Sequence, residues 1–151
     1  MKQPALPITS ESEIHSEEKL GGLYFAYGSN LNIRQMKKRA PSARILGASY
    51  LFGWRLIFRG VADIARGTKN DLLPIGIWKL QPEDEEALDI YEGWPKVYRK
   101  VKISGIMTYR MNRGGFTPPA ERYFAAIMQG YNDFGLDLKY LEAAKNYGVQ
   151  Q

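Results

Sequence analysis

Short apolar runs, punctuated by glycine and proline, fill most of this chain and define its elements. Leu23–Tyr27 is one such run and predicts a strand. Ile33, Met36 and Ala40 then recur at helical spacing, which predicts a helix from about Leu31 to Arg39, stopped by Pro41. Strands are expected over Arg44–Phe52, Trp54–Arg59 and Val61–Arg66, separated by Gly53 and Gly60, and again over Leu72–Leu80. Pro82 and the acidic run Glu83–Glu86 suit the first turn of a helix, Pro82–Tyr91, which Gly93 and Pro95 end. Further strands are expected over Val97–Ile103, Ile106–Met111 and Arg122–Met128, and a last helix over Asp137–Asn146.

Strands dominate the middle and helices interrupt them without β–α–β alternation. That pattern predicts an α+β domain, residues 22–148, built on a curled or barrel-like sheet. Residues 1–21 are polar, lack periodicity, and are expected to be a disordered tail. No internal repeat or domain linker interrupts the rest.

Composition narrows the chemistry. The 151 residues include no cysteine and one histidine, His15, in the tail. A thiol nucleophile, a Ser-His-Asp triad in the body and a multi-His metal site are therefore excluded. Any proton carrier must be Asp, Glu, Lys, Tyr or water held by them. No apolar run approaches the roughly 20 residues of a membrane span, and the first residues lack the apolar stretch of a secretory signal, so a cytoplasmic protein is expected. The net charge is +5; two lysines against four glutamates make residues 1–22 −2 and leave +7 on the remainder. Basic residues are scattered. The densest group, Lys37-Lys38-Arg39, suits a solvated helix face better than a nucleic-acid surface, and no nucleic-acid motif accompanies it.

Two stretches carry candidate chemistry. In Tyr27-Gly28-Ser29-Asn30 a strand stops on glycine and passes at once to a helix. Gly28 permits close backbone approach, Ser29 or Asn30 suits a helix cap, and unpaired N–H groups there suit a carboxylate or an oxyanion. The same residues also suit an ordinary capped turn. In Leu88–Lys100, Glu92 stands at the C-terminal end of its helix, where the dipole disfavours a carboxylate. Asp89 and Glu85 fall on the same face, and Tyr91, Trp94 and Tyr98 are close in sequence. Like charges and aromatic surroundings predict a raised pKa and a general acid/base; a solvent-facing glutamate before a glycine stop is the plainer reading. Tyr24, Tyr27, Tyr98, Tyr109 and Tyr123 fall in or beside expected strands and suit core or pocket walls.

With "YFAYGSNL", "PSARILG", "GWRLIFRGVADI", "PEDEEALDIYEGWPKVYRK", "PPAERY" and "GLDLKYLEAA" in order, the sequence resembles the γ-glutamylcyclotransferase (AIG2-like) family from Leu23 to Tyr147, its bacterial members most. The resemblance implies a mixed β-barrel with flanking helices and a reaction that turns a γ-glutamyl amide into 5-oxoproline and free amine. It implies Glu92 as the acid/base. It implies a substrate-binding loop formed by Tyr24, Phe25, Ala26, Tyr27, Gly28, Ser29 and Asn30, with Tyr98, Tyr109 and Tyr123 as pocket tyrosines. The substrate supplies its own nucleophile, so no metal or cofactor is implied. The partner is the small γ-glutamyl substrate, with neither nucleic acid nor membrane. A non-catalytic small-molecule-binding or regulatory protein on the same fold is the alternative.

Overall fold

The computed structural model describes residues 5–6, 11–14 and 20–147. In chain order the strands are β1 (Ala5–Leu6), β2 (Ser12–Ile14), β3 (Gly22–Ala26), β4 (Arg44–Phe52), β5 (Trp54–Arg59), β6 (Val61–Arg66), β7 (Leu72–Leu80), β8 (Tyr98–Ile103) and β9 (Ile106–Met111). The helices are α1 (Ile33–Arg39), α2 (Pro82–Glu92), α3 (Glu121–Phe134) and α4 (Leu138–Asn146), with a 3-10 turn at Ser29–Leu31. No helix among the described residues is long and apolar enough to cross a membrane.

Seven strands form a mixed sheet in the order β1-β4-β7-β3-β9-β8-β2, and β5 pairs with β6 as a separate hairpin. The β1–β4 and β3–β9 pairs are parallel; the others are antiparallel. The α+β single domain is as expected, but the sheet does not close into a barrel: β1 and β2 are its edges. Those edges come from the segment expected to be disordered. Ser12–Ile14 pairs with Lys100–Lys102 and seats Ile14 in the core, while Ala5–Leu6 lies beside Tyr50–Leu51. His15 lies outside the described residues.

One element differs in kind. Arg122–Met128, expected as a strand, belongs to helix α3. Phe124, Ile127 and Tyr131 recur at spacings of three and four and are all buried. Burying each is worth about 1.5–3 kcal/mol, far more than the few tenths by which aromatic and β-branched residues disfavour a helix. Gly135, left-handed at φ 68°, closes its C-terminus.

α3 lies across the 3-10 turn, and two glycines let it approach. A Cβ on Gly130 would stand 2.6 Å from the Leu31 carbonyl carbon and 2.7 Å from the Asn32 nitrogen. A Cβ on Gly76 of β7 would stand 2.6 Å from the Phe134 ring and 2.7 Å from Leu31. Gly130 thus sits where alanine would favour an isolated helix by about 1 kcal/mol, yet where overpacking costs about 1–3 kcal/mol or more. Thermal unfolding of Gly130→Ala should show a lower Tm than the native chain; an unchanged or higher Tm would mean that α3 does not press on the turn.

Candidate active site

β3 carries Tyr24 into the core and ends at Ala26; the chain then turns through Tyr27-Gly28 into the 3-10 turn. The reason for the glycine is steric. A Cβ on Gly28 would lie 2.9 Å from Ala62 Cβ and 3.5 Å from the Tyr123 hydroxyl. Ala62 itself is fixed from both sides: its N–H donates to Tyr123 Oη at 2.9 Å, and its carbonyl accepts from Tyr98 Oη at 3.0 Å. The helix cap is Asn32, not Ser29 or Asn30 as the sequence suggested. Its side chain accepts from Gln35 N at 3.0 Å and donates to the Ala126 carbonyl at 3.0 Å. The first N–H of α1, on Ile33, donates to Asp133, so α1 turns its N-terminus to α3 rather than to a ligand. The N–H groups left at the strand end are those of Ser29 and Asn30, which precede the turn's first internal bond, from Leu31 N to Gly28 O.

A cavity of about 380 Å³ opens at this point. Tyr24, Tyr27, Gly28, Ser29, Asn30, Glu92, Tyr98, Tyr109 and Tyr123 all line it. Phe25 and Ala26 do not: both are fully buried on β3 and support the loop from behind. Tyr123 reaches the cavity from α3, a helix rather than the expected strand. Burial pushes all five phenols above their usual value of 10, so they stay protonated at neutral pH. Three of those protons are committed: Tyr27 donates to the Tyr109 carbonyl, Tyr98 to the Ala62 carbonyl, and Tyr109 to Asp89 Oδ1 at 2.7 Å. Tyr24 accepts from Asn30 Nδ2 at 2.9 Å and Tyr123 accepts from Ala62 N. Among the described residues neither of these two hydroxyls has an acceptor.

Glu92 is half-buried at the last turn of α2. Loss of solvation pushes its carboxyl up to about 7, opposed by the Arg39 guanidinium. Of the expected causes, repulsion from Asp89 and Glu85 is not the operative one. Those two carboxylates turn to Lys100, whose Nζ lies 2.7 Å from Glu85 and 2.9 Å from Asp89. Lys100 is fully buried and stacks 4.2 Å from the Trp94 ring centroid.

Arg39 is the residue that sequence reasoning missed. Its guanidinium donates to Asn30 Oδ1 at 2.7 Å, Ser29 Oγ at 3.2 Å and Gln35 Oε1 at 2.8 Å, and stacks 4.0 Å from the Tyr91 centroid. It joins the loop to the end of α2. The available signal was its place at the end of α1, nine and ten residues beyond Asn30 and Ser29. Arg55, Arg59 and Arg99 stay outside the cavity. Removing the Arg39 charge in Arg39→Met should raise the Glu92 pKa further above 7. Carboxyl-carbon NMR titration reads this directly, and an unchanged midpoint would sever Arg39 from Glu92.

Comparison with known proteins bears on the fold and the family. No protein-family model matches the chain. A human protein named gamma-glutamylcyclotransferase is 28% identical over 145 residues, covering 82% of this chain and 77% of its own length. A solved gamma-glutamyl cyclotransferase structure superposes with a TM-score of 0.69 at 27% identity, covering 83% of this chain and 86% of its own. YkqA from Bacillus subtilis has the same fold, with a TM-score of 0.67 at 18% identity over 89% of this chain and 56% of its own. The chain thus has the gamma-glutamylcyclotransferase fold, and the relatives of that name support its membership of the family.

Proposed function

We propose that this chain is a cyclotransferase that converts a γ-glutamyl amide to 5-oxoproline and a free amine. The observation that carries the reading is the ionisation pattern of the cavity. Among the described residues its lining holds one carboxyl, Glu92, and that carboxyl titrates near neutrality beside the phenols of Tyr24, Tyr27, Tyr98, Tyr109 and Tyr123, which do not. A proton carrier works best when its pKa lies near the working pH.

In this mechanism the ionised Glu92 takes a proton from the substrate's α-ammonium. The freed α-nitrogen attacks the γ-carbonyl carbon, forming the ring C–N bond. The N–H groups of Ser29 and Asn30 face the developing oxyanion, and Arg39 behind them adds positive charge. The intermediate collapses by breaking the bond to the leaving nitrogen. Overall the α-nitrogen gives up two protons and the leaving nitrogen gains two, with Glu92 carrying each in turn. The atoms balance without water or an external nucleophile. Attack within one molecule has already met much of its entropy cost. The spare protons of Tyr24 and Tyr123 would bind the glutamyl portion, while Tyr27, Tyr98 and Tyr109 shape the walls.

The direct test is 5-oxoproline release from γ-glutamyl amides by the native chain and by Glu92→Gln. The expected loss is about 10²–10⁴-fold in kcat. A variant that turns over at the native rate would remove Glu92 from the reaction. No turnover by the native chain, with ligand bound tightly, would leave a binding protein on this fold. For the native enzyme, kcat/KM should rise with pH through about 7, as Glu92 ionises. That limb should vanish in Glu92→Gln.

Stability should move the opposite way. The folded state holds the Glu92 proton up to about pH 7, whereas an unfolded glutamate releases it near 4.5. The stabilisation this confers is complete below 4.5 and is lost as pH rises through 7. Calorimetry of Glu92→Gln should therefore show a Tm advantage over the native chain that grows between pH 5 and pH 8. A constant difference would contradict the raised pKa.

A further inference from the structure

The mouth of the cavity has a character that the chemistry at Glu92 does not require. Ile90 is 82% exposed, Val97 50% and Tyr91 48%, and all three line the cavity together with Val61. Ile90 and Tyr91 stand just before Glu92 in the chain and Val97 five residues after it. A γ-carbonyl placed at Glu92, with its glutamyl head inward among the tyrosines, must direct the other side of its amide outward past these residues. Apolar side chains left this exposed at the rim of a ligand site mark a surface that a ligand covers.

The rim also lacks a partner for charge. Among the described residues no lysine, arginine or histidine lines the cavity, and its one carboxylate is Glu92. Arg39 is occupied by Ser29, Asn30, Gln35 and the Tyr91 ring. Lys96, next to Val97 in sequence, does not line the cavity. Asn30, the one carboxamide there, is held between Tyr24 and Arg39. An anionic leaving group would lose water at this rim and find no cation among the lining residues.

Resting on the cyclotransferase reading, we infer that Ile90, Tyr91 and Val97 form a leaving-group subsite that selects γ-glutamyl amides of neutral, apolar amines. Specificity then lies in α2 and the segment after it, separate from the loop that takes the glutamyl head. Residues 90–97 carry both the proton carrier and the selector, so one short stretch sets rate and choice.

Three amides decide it: γ-glutamyl-ethylamide, γ-glutamyl-isopentylamide and γ-glutamyl-leucine, which is the isopentylamide with one added carboxylate. Each further carbon is worth about fourfold when fully covered, so three carbons half covered at an open rim give about tenfold in kcat/KM. The native enzyme should prefer the isopentylamide to the ethylamide by about tenfold and should use it at least as well as γ-glutamyl-leucine. The double substitution Ile90→Ser with Val97→Ser, at two exposed positions, should reduce the isopentyl-to-ethyl ratio to about threefold or less. Equal use of both alkylamides, or a clear preference for γ-glutamyl-leucine, would overturn the subsite and leave the cyclotransferase standing. A native dimer that the double substitution splits, with the ratio unchanged, would assign the rim to a second copy of the chain instead. No turnover of any amide would overturn both readings.

Discussion

The buried ammonium of Lys100 is the constraint on which the site's geometry depends. Desolvating one ion costs several kcal/mol even after relaxation, so Lys100 is tolerated in the interior only because it is fully partnered. Its two carboxylates both belong to α2, one helical turn apart, and Lys100 belongs to β8. Glu85 also accepts from Gly21 N at 2.8 Å, just before β3, and Asp89 accepts from Tyr109 on β9. One cation therefore fixes the rotation and depth of α2 against three strands. Glu92 follows Asp89 by three residues on the same helix. Its place at the cavity is set by charges that it does not itself touch.

The opposite wall is fixed by close backbone packing and one cation. Gly28 lets the strand end come against Ala62, and Gly130 lets α3 come against Leu31 and Asn32. Both glycines give up side-chain burial so that the backbone can approach its neighbours, the Ala62 methyl at Gly28 and the Leu31–Asn32 backbone at Gly130. Arg39 then ties Ser29 and Asn30 to the Tyr91 ring on α2. The loop and the carboxylate are thus parts of one rigid frame, although nothing in the chain bonds Glu92 directly to the loop.

Much of this was legible in the sequence wherever local signals and tertiary demands coincide. Gly53 and Gly60 separate strands whose boundaries at Arg44–Phe52, Trp54–Arg59 and Val61–Arg66 are those observed. Pro82, the acidic first turn and Gly93 delimit α2. Where the signals conflict the reading fails. Tyr123, Phe124 and Ile127 favour strands locally, and only burial beneath α3 makes the helix win. The edge strands of the first 14 residues are two and three residues long, too short for any periodicity, and draw their hydrogen bonds from β4 and β8. Lys100 is eleven residues from Asp89 and fifteen from Glu85, so three acids on one helix face looked mutually repulsive when two of them are neutralised from another strand. Arg39 looked like part of a solvated basic cluster because its partners are gathered only by the turn at Ser29–Leu31.

Three of the six carboxylates of α2, Glu85, Asp89 and Glu92, divide between packing and the cavity. Glu85 and Asp89 meet Lys100 at hydrogen-bonding distance and bind α2 to β8. Glu92 meets Arg39 only through space while losing most of its water, and its pKa rises. One helix thus holds two acids tied into the interior and a third left at the cavity. A direct salt bridge to Glu92 would stabilise the fold and pull its pKa back toward the ordinary range, where a carboxylate is a weak base at neutral pH. Arg39 avoids this by directing its donors to Ser29, Asn30 and Gln35, so that its charge tempers Glu92 without capturing it.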